Sequence, residues 1–187
     1  LGDVYQRPLL LLAAELAARL GRPVARHRLV QAEHEVLQRE HLLGVAHRLD
    51  RDTSGVCVLA KTKAALRALS IQFQDRQVNK TYVGAVAGVP DVEGVIDGAI
   101  GEVMTPAGYN RVALVSEAEG GRAATTAYRV LETAEHSALL ELEPKTGRAH
   151  QLRVHLASIG HPLLGDALHG GAAHERLCLH SAKLAFA

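Results

Sequence analysis

The chain has 187 residues, 48% hydrophobic and 22% charged, with 21 Lys plus Arg against 20 Asp plus Glu and a formal net charge of +1. Apolar content this high with so little net charge excludes a disordered chain, and 17 Gly with two Cys exclude a collagen-like or disulfide-stapled one. A chain of this size buries a sizeable core as a soluble single domain, and balanced charge confines any contact with a polyanion to a local basic patch.

In chain order, Leu9–Leu20 is rich in Ala and Leu and predicts a helix stopped by Gly21 and Pro23. It carries Glu15 and Arg19, and at twelve residues it is too short to span a bilayer. No basic segment leads into it as in a signal peptide. With Cys57 and Cys178 the only thiols, a reducing, cytoplasmic setting is expected. Residues 24–43 leave a second helix open around Val36 and Leu37. Gly55–Lys61 is β-branched and apolar and predicts a buried strand. Thr62 then caps a helix in which Ala65, Leu66, Leu69 and Phe73 recur at helical spacing to about Asp75.

Thr81–Val86 predicts a strand, and shorter strands follow near Val95–Ile100, Val112–Val115, Ala124–Leu131 and Ala138–Glu143. Turn signals separate them at Pro106–Gly108 and Gly120–Gly121. Pro144–Gly147 breaks the pattern. Leu152, Leu156 and Ile159 then fall at i, i+4 and i+7, predicting an amphipathic helix from about Ala149 to Gly160. Adjacent strands without β-α-β alternation predict an α+β domain with a largely antiparallel mixed sheet.

Two clusters carry polar chemistry. His47-Arg48-Leu49-Asp50-Arg51-Asp52-Thr53-Ser54-Gly55 stands directly ahead of the first apolar run. A carboxylate flanked by Arg48 and Arg51 stays ionised and can serve as nucleophile or base. The same residues also suit a solvated turn with local Asp–Arg pairs. Lys145-Thr146-Gly147-Arg148-Ala149-His150-Gln151-Leu152-Arg153-Val154-His155 leads from a Gly turn into a helix with cationic first turns, which suits phosphate or carboxylate. The commoner motifs do not fit. The order of a kinase catalytic loop is wrong, no H-E-x-x-H occurs, and Asp50 and Asp52 are too close in sequence to indicate a glycosidase pair.

His47 through Gly55 resembles the signature of the RluA-type pseudouridine synthases. Three further segments agree in order. Phe73-Gln74-Asp75-Arg76 through Lys80-Thr81-Tyr82 resembles the family's Lys-x-Tyr strand. Lys145 through His155 resembles its second signature, continuing into Gly160-His161-Pro162 and Gly165-Asp166. Leu179-His180-Ser181-Ala182-Lys183-Leu184 resembles its closing strand. The similarity is expected over about 44–187, with 1–43 divergent or incomplete: nothing there matches the family's upstream Asn-Lys-Pro-x-Gly-like segment, and family members continue beyond Phe186-Ala187. One catalytic domain over 1–187, without an S4-like domain, is expected.

The resemblance implies a sheet with flanking helices and a central cleft, and isomerisation of uridine to pseudouridine in ribosomal or transfer RNA. It makes Asp50 the catalytic carboxylate, either adding to the ribose anomeric carbon or abstracting a ribose proton. Arg153 would pair with Asp50 and aim it, Tyr82 would pack on the uracil and act in proton transfer, and Arg48 would fill the gap left by the extruded base. Lys80, Lys145 and Arg148 suit phosphate contacts, with His150 and Gln151 beside them in the substrate site. The resemblance implies no metal or organic cofactor; the sequence shows no membrane segment and no obligate protein partner, and a monomer is expected. Two other classes compete: a non-catalytic RNA-binding relative, and a hydrolase that releases free uracil.

Overall fold

The computed structural model describes residues 44–187. The predicted helix Leu9–Leu20 and the open segment 24–43 lie outside the described residues. The chain divides into two compact units, one holding the residues up to Arg48 and Gly55–Asp75, the other Leu49–Ser54 and Arg76–Ala187.

In the first unit, β1 (Gly44–Val45) pairs antiparallel with β3 (Leu59–Ala60), and α1 (Lys63–Gln74) follows. Thr62 caps α1 as predicted: its backbone is extended and its Oγ1 accepts from the Ala65 N–H at 3.1 Å. The single buried strand predicted over Gly55–Lys61 is corrected. The segment splits between β2 (Ser54–Gly55) and β3, and of its residues only Ala60 is buried. Gly55 has φ 119, a left-handed value that interrupts extended backbone. The Val58 N–H, which a continuous ladder would use, donates instead to His47 Nε2 at 2.9 Å. The His47 ring in turn stacks on Phe73, centroids 4.5 Å apart.

The second unit is built on a six-stranded sheet in the order β2-β10-β4-β9-β8-β5. Its strands are β4 (Asn79–Ala87), β5 (Glu93–Asp97), β8 (Thr125–Ala134), β9 (Ser137–Pro144) and β10 (Leu179–Ala185), with β2 at one edge. The registered pairings are antiparallel, in line with the α+β expectation. The predicted strand Val95–Ile100 is two strands. The chain leaves β5 at Gly98, whose N–H donates to Ala124 O, and enters a separate hairpin of β6 (Ile100–Met104) and β7 (Asn110–Leu114).

Alternation along β4 turns Lys80, Tyr82, Gly84 and Val86 to one face. Tyr82 stands opposite Leu142 on β9 and Ser181 on β10. The helix α2 (Gln151–Ser158) adds Leu152 and Leu156 to a core with Val86, Leu140, Leu142 and Leu163, against which Tyr82 packs. Truncating a buried leucine such as Leu156 to Ala costs about 2–5 kcal/mol. The second signature is thereby anchored to the strand that carries Tyr82.

Candidate active site

Asp50 lies in a turn closed by the Thr53 N–H, which donates to Asp50 O at 3.0 Å. The residue is half-buried, and its carboxylate has no hydrogen bond or ion pair among the described residues. Arg51 turns outward to Asp52 at 3.4 Å, so the expected flanking cation serves the neighbouring acid. Arg48 is exposed, and the Thr53 hydroxyl is buried with no partner among the described residues. In β10 beside Tyr82, the Ser181 hydroxyl is likewise buried without one.

The second signature forms a tightly bonded turn ahead of α2. Gln151 is buried and uses both ends of its amide. Its Oε1 accepts from Thr146 Oγ1 at 2.7 Å and from the Arg148 N–H at 3.0 Å. Its Nε2 donates to Thr125 O at 2.9 Å and to Thr126 Oγ1 at 3.0 Å. The sequence marks Gln151 for substrate; here its amide is committed to joining the turn to β8. His150 precedes α2 with φ 50 and ψ 20, a left-handed backbone that costs a non-glycine residue about 1–3 kcal/mol. Its Nδ1 is 3.1 Å from His169 Nε2.

Arg153 is 4% exposed and faces Asp166, 1% exposed, in a two-point pair: Nε to Oδ2 at 2.9 Å and Nη2 to Oδ1 at 2.6 Å. Asp166 follows Gly165, whose φ of 77 and close approach to the Arg176 carbonyl leave no room for a Cβ. Asp166 Oδ1 also accepts from the His169 N–H at 3.3 Å. The expectation that Arg153 directly grips Asp50 is corrected: its ion-pair partner is Asp166. Two fully buried charges require mutual pairing, whereas the half-buried Asp50 retains access to water.

Asp50 nevertheless acts on this network through its field. Burial opposes the Arg153 charge, but the Asp166 hydrogen bonds and charge, with smaller help from Asp50 and Asp52, raise its pKa. Burial would raise the Asp166 pKa, but the Arg153 hydrogen bonds and charge outweigh it and hold the carboxyl below its ordinary value. Burial, then the Arg153 charge, lower the His150 pKa against the opposing pull of Asp50, Asp166 and Asp52. Arg153 Nη1 makes no hydrogen bond among the described residues. The site therefore combines an ionisable acid with no direct partner, a fixed cation within range of its field, and neutral imidazoles.

The remaining candidates divide. Lys80 Nζ donates to Thr146 O at 2.7 Å, and burial followed by the Arg76 charge lowers its pKa. Arg148 Nε donates to Ala123 O at 3.2 Å. Lys145 is exposed and pairs with Glu143 at 2.6 Å, which offsets its charge. Sequence reasoning missed the roles of Asp166 and His169. The available signal was a lone acid in Pro162-Leu163-Leu164-Gly165-Asp166-Ala167-Leu168, where an ionised group demands a partner. Among the described residues no three His, Cys, Asp or Glu side chains form a group that could hold a metal ion.

Comparison with known proteins bears on this arrangement. The family described as RNA pseudouridylate synthase matches residues 17–158, so the likeness begins upstream of residue 44, where the signatures alone placed its start. Ribosomal large subunit pseudouridine synthase D of Zymomonas mobilis is 38% identical over 154 residues, covering 76% of this chain and 48% of that protein. The protein of the same name from Nitrosomonas europaea is 46% identical over 127 residues, 68% of this chain and 36% of that one. The chain thus spans half or less of the length of these relatives. Among solved structures, human RNA Pseudouridylate Synthase Domain Containing 1 superposes with a TM-score of 0.72 at 28% identity, covering 82% of this chain and 67% of that one.

Proposed function

This chain belongs to the RNA pseudouridylate synthase family, and on that premise we propose that it isomerises uridine to pseudouridine within RNA, with Asp50 as the catalytic carboxylate. One observation carries the assignment of roles. Asp50 has no direct partner among the described residues, yet its charge is felt by Arg153 and His150. A carboxylate committed to a tight ion pair would be a poor nucleophile or base; one without a direct partner is available for the substrate.

The reaction begins by taking the uridine out of its stack, at a cost of a few kcal/mol. Packing on Tyr82 returns about 1–3 kcal/mol of that. Asp50 then either adds to the ribose anomeric carbon or removes a ribose proton. The bond from N1 to that carbon breaks, the uracil turns, and C5 bonds to the same carbon. The C5 proton departs and N1 gains one, so atoms and electrons balance without a redox partner. Tyr82 is the candidate proton carrier. Arg153, fixed by Asp166, supplies the positive field, and Gln151 positions the turn that carries Arg148 and His150.

The names of the two bacterial relatives favour large-subunit ribosomal RNA as substrate, with transfer RNA as the second outcome of the test. A cysteine content of two in 187 residues supports a cytoplasmic setting. No helix among the described residues is long and apolar enough to cross a membrane. We assign residues 1–187 to a single catalytic domain and take the working form to be a monomer.

The test is tritium release from ribosomal RNA carrying C5-tritiated uridine, with the product identified by chromatography. Release with pseudouridine as product supports the proposal. Free uracil would identify a hydrolase, and RNA binding without release would identify a non-catalytic relative.

A further inference from the structure

Four cations outside the Asp50–Arg153 network come together from three separate segments. Arg76 is in the turn between α1 and β4, with φ 58. Lys80 lies at the start of β4, and the position a Cβ would take at Gly147 is 3.5 Å from its Nζ. Arg148 follows that glycine and reaches across to the Ala123 carbonyl, one residue from Arg122. Among the described residues Arg76, Lys80, Arg122 and Arg148 have no carboxylate within ion-pair distance, whereas Arg129, Lys145 and Arg153 each have one.

We propose that Arg76, Lys80, Arg122 and Arg148 form a phosphate subsite that holds the RNA backbone beside the nucleotide packed on Tyr82. The inference rests on the synthase reading and deepens it by adding Arg76, to which the matched segment gives no role, and Arg122, which lies in no matched segment. Like charges gathered without a counter-charge repel one another, and an oxyanion relieves that repulsion. Their charges bear on one another accordingly: burial, then Arg122 and Arg76, disfavour the charge of Arg148, and burial, then Arg76, that of Lys80. Lys80 and Tyr82 are two residues apart on one strand face, about 7 Å, which sets the subsite next to the proposed base-packing position. The Lys80 ammonium lies beside Gly147, on the turn that carries Arg148.

The experiment uses the full 187-residue chain and a fluorescein-labelled RNA stem–loop with uridines in its loop. Its Kd is measured by anisotropy at a series of KCl concentrations. Arg76→Gln, Arg122→Gln and Arg148→Gln should each reduce the slope of log Kd against log salt by about 0.7–0.9, and R76Q/R122Q by about twice that. Arg122→Lys should keep the wild-type slope. So should Arg129→Gln, whose partner is Glu141. Unchanged slopes in glutamine variants that melt with the wild type would overturn the subsite, as would no binding of the stem–loop by the wild type. Tritium release is measured alongside: release with unchanged slopes fails the subsite alone, and slope losses without release fail the synthase reading alone.

Discussion

Arg153 and Asp166 are joined at two points, Nε to Oδ2 at 2.9 Å and Nη2 to Oδ1 at 2.6 Å, with both side chains almost fully buried. The pair fixes the guanidinium plane and leaves Nη1 as its uncommitted edge. Removing one member strands a buried charge, so Asp166→Ala should cost about 3–5 kcal/mol in urea denaturation. An apolar double replacement, Arg153→Met with Asp166→Leu, should regain most of that stability while showing no tritium release. A double variant as unstable as the single would show that the pair stabilises in another way, and one retaining turnover would remove Arg153 from the mechanism.

Gln151 offers a second separation of scaffold from chemistry. Gln151→Glu cannot donate to Thr125 O and Thr126 Oγ1, and it leaves buried groups unpaired at about 1–3 kcal/mol each. Its melting temperature should fall, and amide exchange at residues 146–151 should quicken. An unchanged melting temperature would mean that the amide network contributes little.

The extent to which this site was legible in the sequence differs by residue. Thr62 and the apolar spacing of α1 were readable because capping and helical periodicity are local effects. Strands β4, β8 and β9 were readable because their apolar runs are bounded by turn signals, whereas the break between β5 and β6 at Gly98 was not, since it depends on a backbone bond to Ala124. The split of Gly55–Lys61 was not, since it depends on a left-handed glycine and on His47 taking a backbone N–H eleven residues away. Asp50 was visible as an acid in a polar turn. Its separation from Arg153 was invisible, because the competing partner lies in a loop where only burial reveals the need for pairing. The grouping of Arg76 and Arg122 with Arg148 was not legible, because it brings together three segments distant in sequence.

Stability should fall in mild acid. Burial is the leading cause of the lowered pKa of His150, His155 and His169. Between the unfolded value of about 6.5 and these lower native values, the unfolded chain binds more protons, so stability declines as pH drops through that window. Asp166 loses its contribution only at more acid pH, because its carboxyl is held low. His155 is the most enclosed: Nε2 donates to Gly98 O at 3.2 Å, and Nδ1 accepts from Thr126 Oγ1 at 3.0 Å. His155→Gln should therefore flatten the fall in melting temperature between pH 7.5 and 5.5. A decline as steep as in the wild type would assign the effect to the other two imidazoles.

Tyr82 separates packing from proton transfer. Tyr82→Phe should leave the KM for RNA near the wild-type value while lowering kcat. Tyr82→Ala should also weaken binding by about 1–3 kcal/mol. Equal kcat in Tyr82→Phe and wild type would restrict the ring to packing.

The measurement that bears most directly on the central claim is tritium release by Asp50→Asn under single-turnover conditions on C5-tritiated ribosomal RNA. The substitution removes the charge of a half-buried side chain that has no direct partner among the described residues, so the fold and RNA affinity should persist. The account predicts wild-type RNA binding with no release above background. Release at the wild-type rate would contradict it.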